Sequence, residues 1–190
     1  SVYGETLVEP KILLPDNEAC LRLPGIDGKA KMSKSLGNCI YLAEDPKDIK
    51  KKVMSMFTDP NHIRIEDPGS LEGNTVFTYL DAFCNDQHFE EYLPDYKNLD
   101  ELKEHYQRGG LGDVKVKKFL NNVLQEELEP IRKRREELQK DIPYVYEVLK
   151  KGSEVARETA AQTLHEVRDA MKINYFDDME LIRSQAKKYE

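Results

Sequence analysis

Leu23 to Asn38, LPGIDGKAKMSKSLGN, places three glycines and three lysines within sixteen residues, with Ser33 and Ser35 flanking the last lysine. Glycine lets backbone fold tightly against an anion, lysine brings a mobile point charge and serine a neutral donor, so the composition suits phosphate. It is not the common phosphate loop. That loop needs G-x-x-x-x-G-K-[ST] between a strand and a helix, whereas Gly28-Lys29 is followed by Ala30 and Leu23 stands where the first glycine belongs. On chemistry alone, a solvated basic turn explains the stretch as well as a ligand site does.

A second basic region lies further along. From Asp113 to Arg135 there are seven positive residues, Lys115, Lys117, Lys118, Arg132, Lys133, Arg134 and Arg135, against the four acids Asp113, Glu126, Glu127 and Glu129. The whole chain carries a formal charge of −7, so any contact with nucleic acid must come from such a local patch. On an unbroken helix Lys118 and Arg132 stand about 21 Å apart along the axis, both opposite the apolar stripe. That face could track phosphates, or it could simply be solvated. GGLGD, Gly109 to Asp113, reads either as a carboxylate and free N–H groups at a helix start or as an ordinary turn and cap.

Other chemistry is sparse. His62, His88, His105 and His165 are isolated in sequence and read as surface or packing residues; Met54, Met56 and the tyrosines read as core. Cys20, Cys39 and Cys84 form no C-x-x-C and no metal spacing, which predicts reduced thiols and no bound metal. No apolar run is long enough for a membrane span, and no signal peptide opens the chain, which predicts a cytoplasmic protein without membrane contact. The opening, SVYGETLVEP, reads as the end of an α/β unit and predicts a fragment.

The elements that must position these residues change character along the 190-residue chain. Residues 1–44 are predicted as short strands and loops, with ETLVEP, KILLP and CIYLA as the strand-like pieces. Asp45-Pro46 then marks a helix start, carrying Ile49, Val53, Met56 and Phe57 on one stripe. A long loop over 58–74, a helix from about Thr75, and another capped by Asn98 with Glu101 reaching back follow. Glu72-Gly73-Asn74 reads as a loop ending in a cap. The segment from Asp113 to about Lys140 is strongly periodic, and Pro130 predicts a kink or break near Glu127 to Glu129. Two more helices are expected, over about 143–151 and from a cap at Ser153 onward, before a charged, weakly periodic tail. The fold class is mainly α, a helical bundle-like domain preceded by a strand and loop remnant. The expected parts are 1–44, 45–176 and the tail 177–190.

Lys31-Met32-Ser33-Lys34-Ser35 is similar to the KMSKS signature of class I aminoacyl-tRNA synthetases. The strings KKVMSMFTDPNHIRIEDPG, EGNTVFTYLDAF, HYQRGGLGDVKVKKFL, PIRKRREEL and GSEVARETAAQTLHEVRDAM together resemble the bacterial tryptophanyl-tRNA synthetases, from about Tyr3 to Phe176. The resemblance implies activation of L-tryptophan by ATP, with Mg2+ as its counter-ion, to tryptophanyl-adenylate, and transfer to tRNA(Trp). It implies that Lys34 and Lys31 are catalytic, stabilising charge on the leaving pyrophosphate. ATP would be bound by Arg22, Leu23, Lys31, Met32, Ser33, Lys34 and Ser35, and Gly28 and Gly37 would let the loop move. It makes residues 1–44 the end of a Rossmann-type nucleotide-binding domain and 45–176 the anticodon-reading helical domain, with Asp113, Lys115, Lys117, Lys118, Arg132 and Lys133 towards tRNA. The complete enzyme would be a homodimer and this chain a monomer. No HIGH-type string occurs in the chain, so activation by this chain alone is not expected. The tyrosyl enzymes, built on the same plan, and a non-catalytic helical RNA-binding module are the alternatives.

Overall fold

Asp45 accepts the Lys47 N–H at 2.8 Å and Pro46 takes the first helical position, so α1 runs Pro46–Met54 as the residues demand. Four more helices follow in the same compact unit, Leu14–Gln139. These are α2 (Thr75–Phe83), α3 (Asp86–Tyr92), α4 (Leu99–Arg108) and α5 (Asp113–Gln139). A second unit takes residues up to Leu13 together with those from Lys140 on, and contains α6 (Ile142–Ala170) and α7 (Met179–Ala186). This is a computed structural model, and it describes residues 2–176 and 178–189.

The core sits around α5. Its inward face, Val116, Phe119, Leu120, Val123 and Leu124, is buried against α1, α2 and α3. Ile49 and Val53 of α1, Val76, Phe77 and Leu80 of α2, and Phe89 of α3 fill the other side. Full burial of side chains this size stabilises by roughly 1.5–3 kcal/mol each, so the 3.6-residue stripe on α5 is what gathers the shorter helices.

Several local expectations are met in detail. Asn74 caps α2, and Asn98 caps α4 by accepting the Glu101 N–H at 3.0 Å. Glu101 does reach back, but to the N–H of Lys97, one residue before the cap, at 2.8 Å. The helix α3 has no counterpart in the sequence reading. Its signal was a reciprocal cap: Asn85 accepts the His88 N–H at 3.3 Å while His88 Nδ1 accepts the Asn85 N–H at 3.1 Å. The periodicity of so short a helix is hidden by its acidic residues.

Three expectations are corrected. Of the kink or break expected at Pro130, the break is absent: α5 runs on through it to Gln139. The ring removes one backbone hydrogen bond, at roughly 3 kcal/mol in a helix interior, but the turns either side are intact and Arg132 Nη2 braces them, donating to Gln125 Oε1 at 3.0 Å. The expected pair of helices around Ser153 is the single helix α6, capped by Asp141. Gly152 costs only about 1 kcal/mol relative to alanine there, too little to interrupt twenty-nine residues. Finally, ETLVEP, KILLP and CIYLA form no strand, and among the described residues the β structure is one isolated bridge, Pro24 with Lys31. A strand needs a bonded neighbour, and none of the described residues supplies one. The tail contains the short helix α7, capped by Asp178; Asp177 and Glu190 of that expected segment lie outside the described residues.

The loop 58–74 is pinned to the helices through one carboxylate. Asp113 Oδ2 accepts from Thr58 Oγ1 at 2.8 Å, and Asp113 Oδ1 accepts from Tyr106 at 2.7 Å and meets His62 Nδ1 at 3.0 Å. The Tyr106 hydroxyl also accepts from Asn74 Nδ2 at 3.2 Å, tying in the cap of α2. Burial, and then its bond to Asp113, raise the Tyr106 pKa well above the usual tyrosine range. Within the loop, Asp59 accepts the N–H groups of Asn61 and Ser70, each at 2.8 Å, and these bonds lower its carboxyl pKa.

Tyr106→Phe removes a donor to Asp113 and an acceptor for Asn74, so urea denaturation should show a loss of about 1–3 kcal/mol. Asp59 titrates at lower pH folded than unfolded. Its stabilising contribution is therefore present above about pH 4 and lost as pH falls through the lowered folded value. The acid limb of a pH–stability profile should flatten in Asp59→Asn; an unchanged limb would show that the two N–H bonds are not maintained in solution.

Candidate functional site

The lysine loop is held from behind by Asn38. Its side-chain oxygen accepts the Ser33 N–H at 2.8 Å, while Nδ2 donates to Asp27 Oδ1 at 3.1 Å and to the Lys31 carbonyl at 3.4 Å. The Asn38 carbonyl accepts from the Ile26 N–H at 2.9 Å, and Gly25 N–H donates to Ala30 at 2.7 Å. Glycine is required at two of these positions. A Cβ on Gly25 would stand 2.2 Å from Asn38 Nδ2, and Gly28, at φ +68°, would drive one to 2.8 Å from the Phe57 ring.

The loop is also better anchored than its composition predicts. Leu23, Ile26, Met32 and Ile40 all pack against the helical core. Tyr79 donates its hydroxyl to the Pro24 carbonyl at 2.7 Å, and burial pushes its pKa up to about 12. Lys52 of α1 donates to the Cys39 carbonyl at 2.8 Å and pairs with Glu44. With Met32 turned in, its neighbours are turned out. Lys31, Lys34 and Ser35 are exposed, and neither lysine ammonium has a hydrogen-bond or ion-pair partner among the described residues. Ser33 Oγ and Ser35 Oγ lie 2.8 Å apart, so the two hydroxyls flank Lys34 as a pair. Arg22 is exposed at the loop's edge and Leu23 is half-buried.

The second region centres on a cleft of about 620 Å³ at the start of α5. Arg64 and Ile65 come from the long loop, Tyr96 from just before α4 and His105 from within it, and Gly112, Lys115 and Lys118 from the α5 entrance. The Tyr96 hydroxyl and His105 Nδ1 are 2.7 Å apart, which fixes both rings. Lys115 Nζ sits 5.4 Å from the Tyr96 ring centre and bonds Asp95 at 2.9 Å. The cleft therefore combines aromatic faces, three cationic side chains and the positive end of a long helix, a set suited to a nucleotide.

The six residues expected to face tRNA divide. Asp113, Lys115 and Lys118 come together at this cleft. Lys118 is exposed and has no hydrogen-bond or ion-pair partner among the described residues, whereas the Asp113 carboxylate is turned to its three internal donors. The other three are elsewhere. Lys117 donates to the Met54 carbonyl at 3.3 Å, and burial lowers its pKa. Arg132 is folded onto Gln125, and Lys133 pairs with Glu129 at 2.8 Å. Arg64, Tyr96 and His105, which line the cleft, and Asn38, which holds the lysine loop, were not among the candidates drawn from the sequence. Only Arg64 carried a signal, its place in a long loop. His62 and His88 are buried, His105 is half-buried and His165 exposed, and each has a polar neighbour: His62 has Asp113, His88 the cap of α3, His105 has Tyr96, and His165 has Asp169. Among the described residues no group of three or more His, Cys, Asp or Glu side chains is placed to hold a metal, and no helix is long and apolar enough to cross a membrane.

Comparison with known proteins follows the same two regions. The family described as tRNA synthetases class I (W and Y) matches residues 2–129, which include the lysine loop and the α5 entrance. Tryptophan–tRNA ligase of Clostridium longisporum is 62% identical over 180 residues, covering 94% of this chain and 50% of the relative. The Streptococcus agalactiae enzyme of the same name is 56% identical over 172 residues, 90% of this chain and 48% of its own length. A crystal structure of tryptophanyl-tRNA synthetase from Campylobacter jejuni, complexed with ADP and tryptophan, superposes with a TM-score of 0.62 at 27% identity, covering 80% of this chain and 43% of that one. The chain spans about half the length of the curated relatives it matches. With the match covering the loop, the cleft and the helices between them, this chain belongs to the class I tRNA synthetases of the tryptophan and tyrosine branch.

Proposed function

We propose that the chain provides the triphosphate-facing loop and the tRNA-reading helices of a tryptophan–tRNA ligase. The observation that carries this reading is the loop's two-sided construction. Asn38 and Met32 fix its back, while Lys31 and Lys34 stand outward without partners among the described residues. Activation joins the tryptophan carboxylate to the α-phosphate of ATP and breaks the bond to pyrophosphate. Lys34, with Lys31 beside it, neutralises charge that grows on the departing phosphates. Ammonium groups that engage more strongly as that charge develops raise the rate more than they tighten ground-state binding. Ser33 and Ser35 donate neutral hydrogen bonds, and the main chain near Arg22 and Leu23 lies beside the adenine. Mg2+ accompanies ATP and is carried by its phosphates rather than by side chains of this chain.

Residues 1–44 then belong with the nucleotide-binding part and 45–176 with the part that reads tRNA. The α5 cleft takes an unstacked nucleotide of tRNA(Trp), stacking on Tyr96 and His105 with Arg64, Lys115 and Lys118 on the phosphates. Asp113 shapes the entrance from within. The names of the relatives support tryptophan as the amino acid, and the substrates support work in the cytoplasm.

Binding of this chain to tRNA(Trp) should be salt-dependent and selective over other tRNAs. Lys118→Ala should weaken it and lower the salt slope by about one. Equal binding to all tRNAs would instead favour a general RNA-binding module. The chain alone should give no ATP–pyrophosphate exchange. In the ligase restored by joining it to the remaining half of the Clostridium longisporum enzyme, Lys34→Ala should cut kcat at least about 100-fold while KM for ATP moves far less. Asn38→Ala should speed tryptic cleavage at Lys31 and Lys34 about tenfold with little change in global stability, because it frees the loop and not the core.

A further inference from the structure

Among the described residues, four buried side-chain atoms have no hydrogen-bond partner. Those of Thr75, Glu126 and Arg132 belong to residues outside the lining of the α5 cleft; the fourth, His62 Nε2, belongs to a residue that lines it. The His62 side chain is 2% exposed and stands at the floor of the cleft, whereas Arg64, Lys115 and Lys118 are exposed at its rim. Its two nitrogens are not equivalent. Nδ1 lies 3.0 Å from Asp113 Oδ1, and the same carboxylate accepts from Thr58 and Tyr106. A carboxylate that accepts from three groups has no hydrogen to give, so the ring proton lies on Nδ1 and Nε2 carries a lone pair. The ring also stands edge-on to Tyr106, with centroids 4.7 Å apart at 68°, which together with the Asp113 bond fixes where Nε2 points. A buried acceptor with nothing to accept is rare in a folded protein, because it has given up its bond to water.

We infer that His62 Nε2 is the acceptor for a donor group on the nucleotide that enters the α5 cleft, a base N–H or the ribose 2′-hydroxyl. The inference rests on the reading of that cleft as a nucleotide site, and adds the atom that inspects the nucleotide's uncharged part. Phosphate cannot fill this role. Its oxygens are acceptors, as Nε2 is, and the rim cations already suit them. With phosphate at the rim and a base stacked on Tyr96 and His105, the parts that reach the floor are the base edge and the sugar, and both carry donors. Asp113 acts here through His62. By taking the bond from Nδ1 it keeps Nε2 free to accept, as an outer partner fixes the tautomer of a metal-binding histidine. A nucleotide that lacks the donor leaves Nε2 buried and unpaired, so the site discriminates by the bond it fails to make.

Histidine nitrogen spectroscopy on this chain tests it. Long-range proton–nitrogen spectra of the free chain should show His62 Nε2 without a proton, and saturation with tRNA(Trp) should move that resonance upfield while Nδ1 stays in place. His62→Asn is the paired variant, because its amide keeps a donor towards Asp113 and has no atom where Nε2 stood. It should weaken tRNA(Trp) binding roughly three- to tenfold, as one lost hydrogen bond does, and leave the salt slope unchanged, since no phosphate contact goes with it. The spectra of the unsubstituted chain do not depend on how well the variant folds. Ribonucleoside and 2′-deoxyribonucleoside monophosphates of the four bases then identify the donor: a shift kept by the deoxy forms assigns it to the base, and a shift lost with them to the 2′-hydroxyl. A proton on Nε2 in the free chain would overturn the inference. So would an Nε2 resonance unmoved by tRNA(Trp) while Tyr96→Ala and Lys118→Ala both weaken binding, a result that leaves the cleft reading standing. If neither of those two variants weakens binding, the cleft reading falls and the inference falls with it.

Discussion

One carboxylate governs how this chain organises its helices. Asp113 opens α5 and is bonded by a threonine and a histidine of the long loop, Thr58 and His62, and by a tyrosine of α4, Tyr106. A buried or half-buried carboxylate without such donors would be strongly disfavoured, so loop, α4 and α5 can reach their packed arrangement only together. The long loop over 58–74, which has no helix or strand of its own, is thereby given one conformation. The cleft at the α5 entrance exists because of it. Arg64 and Ile65 are brought opposite Lys115 and Lys118 by bonds made on either side of them.

What could be read in the sequence was local. The caps at Asp45, Asn74 and Asn98 were legible, because each depends on a side chain and an N–H two or three residues away. The apolar stripe of α5 was legible for the same reason, period being a property of neighbours. Breakers were over-read. Pro130 and Gly152 have known local costs, but whether a helix stops depends on the turns around it, and Arg132 bracing Gln125 is a contact across two turns that no propensity contains. Strand-like composition in ETLVEP and KILLP met the opposite problem: a strand's partner lies elsewhere in the chain or outside it.

The site divides along the same line. The five residues Lys31 to Ser35 were legible as anion chemistry and as a family signature, and Lys115 and Lys118 as a basic helix face. Asn38, which holds the lysines in position, was not. Its three partners, Ser33, Asp27 and Lys31, are near in sequence, but nothing in the string distinguishes an asparagine turned inward after Gly37 from one left in water. Nor could charge alone separate Lys117 from Lys118. Adjacent lysines on a helix point about 100° apart, and here that angle puts one against a backbone carbonyl and the other at the cleft.

Those inward lysines have a consequence for how this sequence can drift. Lys52 ties α1 to the loop through the carbonyl of Cys39, and Lys117 ties α5 to α1 through the carbonyl of Met54. Both receivers are main-chain oxygens, present whatever residue stands at 39 or 54. The two connections are therefore asymmetric under mutation: the donors must keep a long cationic side chain, while hydrogen bonding places no demand on the identity of the acceptors. Positions 39 and 54 are left to answer to packing alone, and the route from loop to cleft can survive extensive change along its own path.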